Sequence, residues 1–499
     1  MDNTDISTPD HQAVVIGAGF SGIGAAIKLD DAGVSNYLVV DEGDGVGGAW
    51  HWNTYPGVAV DIPSFSYQFS FEKRADWSRV YAPGAELKGY AEHCVDKYGL
   101  RERIRLKTRV TAATFDEERD VWRLDTEDGA AITTRFVINA SGALSQPKPP
   151  EIEGLDDFQG VVMHTARWDH AQDLAGKRVA IIGTGASAVQ VIPSIAPIVE
   201  RLKVFQRTPI WCLPKPDRAL TARERWLLKH VPGARLVTRA LSQAFVELNF
   251  PLAAHFYGIV PLADRGEAVG HAFLRKQVHD PVVREKLTPR YGLGCKRPSF
   301  SNEYLPAFNR DNVELETTAI ERVTPAGVRT SDGVEHPVDV LVLATGFKVL
   351  EPIFPIYGAG GVELDAWWEA NRMQAYEGVS VPGFPNLFHI IGPYGFNGAS
   401  FFVLIETQMR HITRCLTRAR VTGATRVEVR AEANERYWRA MLGRRHNQIF
   451  FRDTCATANS YYFDRHGDVP FRASPSLETM WRSARFDLDD YRFQPPVAA

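Results

Sequence analysis

Residues 13–29 read AVVIGAGFSGIGAAIKL, and the fold turns on them. An apolar run of strand type meets Gly17, Gly19 and Gly22, then continues into helix-forming residues. This is G-x-G-x-x-G in the setting that gives it meaning, a strand feeding a helix. The glycines let the backbone approach a pyrophosphate, and the positive end of the helix attracts its charge. A second apolar run, NYLVVDE, ends at Glu42, 25 residues after Gly17. A carboxylate so placed accepts hydrogen bonds from ribose hydroxyls.

The design recurs at residues 177–195, KRVAIIGTGASAVQVIPSI, with Gly183, Gly185 and Ala188. Its second strand, RLKVFQRTP, carries Arg207, 24 residues after Gly183. Near-equal spacing thus delivers a carboxylate in one unit and a guanidinium in the other. A carboxylate repels a 2′-phosphate, whereas a guanidinium binds one through two hydrogen bonds. The first unit is expected to take a nucleotide with a free ribose, FAD or NAD, and the second to prefer NADP. The fold class is α/β with two dinucleotide-binding, Rossmann-like domains. Two such sites in one chain mean that electrons pass between two cofactors.

The totals agree with a globular protein of two or three domains. The chain has 499 residues, 44% hydrophobic and 23% charged, with a mean hydropathy of -0.21. Its net charge of -3 recommends neither nucleic acid nor an anionic membrane as partner. The five cysteines, Cys94, Cys212, Cys295, Cys415 and Cys455, are odd in number and far apart, and read as reduced thiols of a cytoplasmic protein. No CxxC supports dithiol chemistry. The opening MDNTDISTPDHQ lacks the basic and apolar regions of a signal peptide. The most apolar long stretch, 242–263, is interrupted by Glu247, Asn249, Pro251 and His255, so no integral membrane segment is expected. Oligomeric state is not legible.

Two further segments carry spacing of their own. GGAWHWNTYPGVAVD (47–61) sets two glycines, aromatics and a Pro-Gly turn after the acid-bearing strand. FQGVVMHTARWD (158–169) places Gly160, His164 and Trp168 four residues apart with no helical or strand period. Together with the two glycine motifs, these resemble the type I Baeyer–Villiger monooxygenases, a family of class B flavoprotein monooxygenases. That family's F-x-G-x-x-x-H-x-x-x-W-(P/D) is matched by Phe158, Gly160, His164, Trp168 and Asp169. Its G-G-x-W-x-x-x-x-Y-P-G-x-x-x-D is matched by Gly47, Gly48, Trp50, Tyr55, Pro56, Gly57 and Asp61.

The resemblance spans nearly the whole chain and implies an NADPH-consuming, FAD-dependent enzyme that converts ketones to esters or lactones with O2 through a C4a-peroxyflavin. It implies that 158–169 links the flavin and NADP domains and coordinates their movement, with His164 locking geometry as the plainer alternative to a chemical role. No metal is implied. In the pair Lys296–Arg297, lysine supports the 2′-phosphate and arginine reaches the flavin. A guanidinium that cannot deprotonate suits an anionic oxygen adduct, and Asp61 is its natural counter-charge. Gly48, Trp50, Tyr67 and Val110 match flavin contacts. Thr184, Ser187, Gln190 and Thr208 match NADP contacts. Tyr461 matches a further NADP contact but stands where many members have tryptophan. A phenol can still hydrogen-bond a ribose hydroxyl, and the departure leaves substrate range and product identity open, together with the ketone and the regio- and enantioselectivity.

The layout follows. Residues 1–145 and 340–499 form a discontinuous FAD domain, with VDVLVLATGF (338–347), a buried strand and a Gly turn, returning the chain to it. Residues 146–339 form the NADP domain, with a helical insertion at about 219–290 that caps the active site. Residues 392–416 read as a glycine turn opening a helix. Two other functions stay open: a flavin monooxygenase acting on amines or sulfides, and an uncoupled NADPH oxidase.

Overall fold

The computed structural model describes residues 8–496; the first seven and last three residues, including much of the polar opening segment, lie outside it. Apolar runs too short for helices become the strands of two main sheets. In the larger sheet His11–Ile16 lies between Tyr37–Val40 and Ala131–Asn139, parallel to both. The antiparallel strands Val121–Thr126 and Val110–Asp116 extend it on one side. Leu387–His389 returns from far along the chain to pair with Ala131–Asn139. His11–Ile16 and Tyr37–Val40 bury Val14, Val15, Val39 and Val40 on both faces, the pattern of a parallel sheet covered on each side.

The second sheet is parallel throughout, in the order Val313–Glu316, Arg201–Phe205, Arg178–Ile182, Val340–Leu343, Val161–His164. Two sequence expectations change here. Val340–Leu343 pairs in register with Val179 and Val161 at Val340, so the second sheet runs past the boundary read at 340. An apolar VLVL run suits a central strand of either sheet, and only pairing decides which. Residues 161–164, read as lacking a strand period, are the edge strand. With one side unpaired, alternation of burial there is weak.

The span 219–290 is helical: Ala222–His230, Ala234–Glu247, Leu262–Gln277 and Pro281–Lys286. Ala222–His230 opens on a capping box in which Thr221 and Glu224 satisfy each other's backbone N–H groups. The helix expected after the glycine turn at 392 begins at Phe401 and runs to Thr422, with Ser400 as N-cap. It packs on the Phe20–Asp31 helix, where Phe20 and Phe402 ring centres are 4.6 Å apart. Gly24 permits this approach, since a Cβ there would lie 2.8 Å from Ile405.

The cysteine expectation is corrected. Cys295 and Cys455 form a disulfide across 160 residues of sequence, a separation that no local spacing rule detects. Cys94, Cys212 and Cys415 are free and buried.

Candidate active site

Between the sheets lies one cleft of about 1460 Å³. Every cofactor contact read from sequence is on its wall except Gly22. Gly22 packs instead on the turn itself, where a Cβ would sit 1.8 Å from the Gly17 carbonyl oxygen. Gly17 has a φ of 108° and presses on Ala140, whose carbonyl oxygen would be 2.6 Å from a Cβ. The turn is thus closed by glycines on both sides. The Asp41 carboxylate accepts from the Ala18 N–H at 2.6 Å and the Gly43 N–H at 2.7 Å. Glu42, one residue on, faces Arg109 at 3.7 Å and Arg167 at 3.9 Å. Gly19 caps the helix with no side-chain partner for the first N–H groups, and Gly48 packs against it.

The second cradle repeats this geometry. Gly183 has a φ of 113° and would place a Cβ 2.4 Å from the Ala344 carbonyl oxygen. Gly185 is the N-cap of Ala186–Ile195, again without a side-chain cap, and no atom lies within 4 Å of a Cβ built on it. A side chain there would fill open cleft. Thr184 closes the loop by donating from Oγ1 to the Thr208 carbonyl at 2.9 Å. Burial, and then the charge of Arg207, lowers the Lys296 pKa. With its amide oxygen toward Arg207, Asn459 accepts from Nε at 3.0 Å and Nη2 at 2.5 Å. Sequence reading did not single out Asn459, which comes from a segment 252 residues further on.

The loop 47–61 joins the halves. Gln190 donates from Nε2 to the Ala59 carbonyl at 2.9 Å and accepts from the Tyr55 hydroxyl at 3.0 Å. A Cβ on Gly57 would strike Ser194 Oγ at 2.2 Å. Gln190, read as a nucleotide contact, therefore holds the two domains together. Trp50 donates from Nε1 to the Tyr67 hydroxyl at 3.1 Å, and burial pushes the Tyr67 phenol well up. Val110, buried, opens its strand and lines the same cleft.

Where the cradles converge, Arg297 donates to Asp61 Oδ2 from Nε at 2.9 Å and Nη2 at 2.6 Å. Burial opposes the charge of Arg297, and the neighbouring Asp61 carboxylate more than offsets this, leaving its pKa raised. The result is a fixed cation in the cleft. Tyr461 lines the same cleft, half-exposed, edge-on to Tyr462 at 4.8 Å. Tyr462, which sequence reading passed over, is buried with its hydroxyl unpartnered.

The linker residues stay outside the cleft wall. A Cβ on Gly160 would lie 2.5 Å from both the Asp339 carbonyl oxygen and the Phe158 ring, so the glycine lets that ring fold back. Trp168 packs on the core of the second domain. Asp169 closes a turn by accepting from the Ala171 N–H at 2.9 Å. His164 Nδ1 accepts from the Ala166 N–H at 3.0 Å, while buried Nε2 has no partner. Burial, then Arg167, lowers its pKa to about 4. Arg167, not singled out from sequence, stacks 3.8 Å from the Trp52 ring centre and ties the linker to the first domain.

Residues 14–224 match the pyridine nucleotide-disulphide oxidoreductase family. A Baeyer–Villiger monooxygenase of Streptomyces coelicolor is 36% identical over 495 residues, covering 98% of this chain and 93% of that protein. The chain belongs to the Baeyer–Villiger monooxygenases. Among solved Baeyer–Villiger structures, a closed cyclohexanone monooxygenase superposes with a TM-score of 0.87 at 30% identity, covering 98% and 100% of the two chains. A complex of OTEMO with FAD and NADP has the same score at 28% identity, covering 97% and 99%. The protein is an NADPH-dependent flavoprotein monooxygenase using FAD. Its own residues fit both cofactors: two helix N-termini with free N–H groups open on the cleft, the first beside Glu42 and the second beside Arg207 and Lys296.

Proposed function

We propose that this monooxygenase inserts one oxygen of O2 beside the carbonyl of a ketone, and that Arg297 is the catalytic cation. NADPH, a proton and O2 are consumed with the ketone, and the ester or lactone, NADP+ and water leave. FAD, when bound and reduced by NADPH, supplies the oxygen activation. The chain's residues bind, orient and neutralise. Gly17, Gly19 and Glu42 hold the FAD pyrophosphate and ribose. Gly183, Gly185, Thr184 and Ser187 receive the NADP pyrophosphate, with Arg207 and Lys296 on its 2′-phosphate. Thr208, Tyr461 and Asn459 complete that wall.

The observation that carries the reading is the Arg297–Asp61 pair, set in the cleft that both cradles share. Attack on a ketone carbonyl builds negative charge on oxygen. A preorganised donor aimed at that charge is worth about 10²–10³ in rate. Asp61 holds the guanidinium with two of its donors, and the fork has others for the substrate oxygen.

The experiment supplies FAD-loaded protein with NADPH, ¹⁸O2 and a panel of linear, cyclic and aryl ketones. Esters carrying one ¹⁸O are expected. Arg297→Ala should cut ester formation by at least about 10²-fold while NADPH is still oxidised. Near-wild-type ester yield from that variant overturns the assignment. Oxygen gained only on amines or sulfides, or hydrogen peroxide matching all NADPH consumed, overturns the ketone reading.

A further inference from the structure

The Ala234–Glu247 helix is turned inside out. Its polar residues point into the protein: Arg235 and Arg239 donate to the Lys73 and Gln68 carbonyls at 2.9 and 2.6 Å, and Ser242 Oγ meets Ser66 Oγ at 2.9 Å. Val237, Leu241, Phe245 and Leu248 recur along the opposite, solvent-facing side, with Leu236 beside them. Leu236 is 63% exposed and Leu241 68%. The preceding helix adds Trp226 and Leu227. Of 22 exposed large apolar side chains among the described residues, ten fall between 226 and 260. The helix Ser476–Arg485 abuts this segment, its Ser476 N–H donating to Glu247 at 2.8 Å, and exposes Leu477 and Trp481. Water-soluble proteins rarely leave so continuous an apolar area uncovered without a use for it.

Charge selects the occupant. The Ala222–His230 helix, which adds Trp226 and Leu227 to this face, carries three basic side chains, Arg223, Arg225 and Lys229, against Glu224, while Arg235 and Arg239 turn inward. The whole chain is net negative at -3, so the total conceals a basic face and the composition reading that set anionic membranes aside is revised locally. A second copy seated on this face by two-fold symmetry would bring the same basic residues together. Apolar side chains rimmed by arginine and lysine, with tryptophan at the margins, suit the headgroup region of an anionic bilayer. We propose that this face docks the protein on the surface of an anionic lipid bilayer, without crossing it; no helix among the described residues is long and apolar enough to span one. Phe250, two residues past Leu248, packs on Gly398, where a Cβ would lie 1.6 Å from its ring, and edge-on to Tyr462 of the cleft at 6.4 Å. The lipid contact therefore adjoins the cleft wall.

The test is flotation of the FAD-loaded full chain with vesicles of phosphatidylcholine alone and of phosphatidylcholine mixed with phosphatidylglycerol. Binding to the mixed vesicles, weakened by salt, is expected. The double variant Leu236→Gln/Leu241→Gln should bind about tenfold or more weakly. Arg223→Gln and Lys229→Gln should each weaken binding roughly fivefold. All these variants change side chains that do not line the cleft, so FAD content and NADPH oxidation should match wild type. Absence of flotation, or flotation of the leucine variant equal to wild type, overturns the proposal. So does a solution dimer that the leucine variant dissociates with no vesicle binding by either form, which assigns the face to a second copy.

Discussion

The two nucleotide cradles share a backbone and differ in the charge at one end. Gly17 and Gly183 have φ values of 108° and 113°, and each presses on the carbonyl of a strand-end alanine. Each helix begins on a glycine with no side-chain cap. Beyond that the cradles diverge. The first closes its loop with the Asp41 carboxylate and sets Glu42 between Arg109 and Arg167. The second closes with a Thr184 hydroxyl and sets Arg207 beside Lys296, whose pKa falls through burial and then that neighbour. Backbone geometry admits a dinucleotide, and one or two side chains then choose which. Placing like charges together is unfavourable, and a phosphate seated between them would relieve that repulsion.

The largest effects come from disabling one cradle at a time. Gly17→Ala and Gly183→Ala each force a side chain into left-handed backbone and into a carbonyl, with strain of about 1–3 kcal/mol and overpacking of about 1–3 kcal/mol. Gly17→Ala should purify with its FAD absorbance lost. Gly183→Ala should keep the flavin yet bind NADPH more weakly in titration. Loss of both cofactors in both variants would mean that the cradles are not separable.

Next is the link between them. Gly160→Ala drives the Phe158 ring from its seat and should lower stability by about 1–3 kcal/mol, read as a lower midpoint in thermal unfolding with both cofactors still bound. An unchanged midpoint would remove the packing account of that glycine.

The smallest effect is conditional on pH and loads both halves. His389 in the first sheet and His164 at the edge of the second are held by burial at pKa values of about 4, against 6.5 for an ordinary histidine. Between those values the unfolded chain takes up protons that the native chain does not. Stability is intact above 6.5 and declines as pH falls toward 4. Unfolding midpoints measured across that window should fall, and less steeply in His164→Gln than in wild type.

Much of this was legible in sequence because it is local. The glycine turns, the Glu42 and Arg207 ends, and the Lys296–Arg297 pair each sit within a short motif, and the cleft brings them together. What escaped reading depends on distant pairing. The strand Val340–Leu343 is apolar enough for either sheet, and its place in the second rests on register with Val161 and Val179. Cys295 and Cys455 meet only through the fold. Asn459 and Tyr462 flank Tyr461, which the resemblance did single out, but nothing in the segment's own spacing says that its neighbours also turn to the cleft. Gln190 shows the reverse case, a residue in a legible motif drawn into domain contact by Tyr55 and Ala59.

That a guanidinium at the end of the second strand reads the cofactor is tested most directly by titrating NADPH and NADH against the wild type and Arg207→Ala. A hydrogen-bonded charge of this kind contributes about 1.5–3 kcal/mol. The preference for NADPH should therefore shrink by roughly 10- to 150-fold in the variant, with NADH affinity little changed. An NADPH preference equal to wild type in Arg207→Ala would contradict the account.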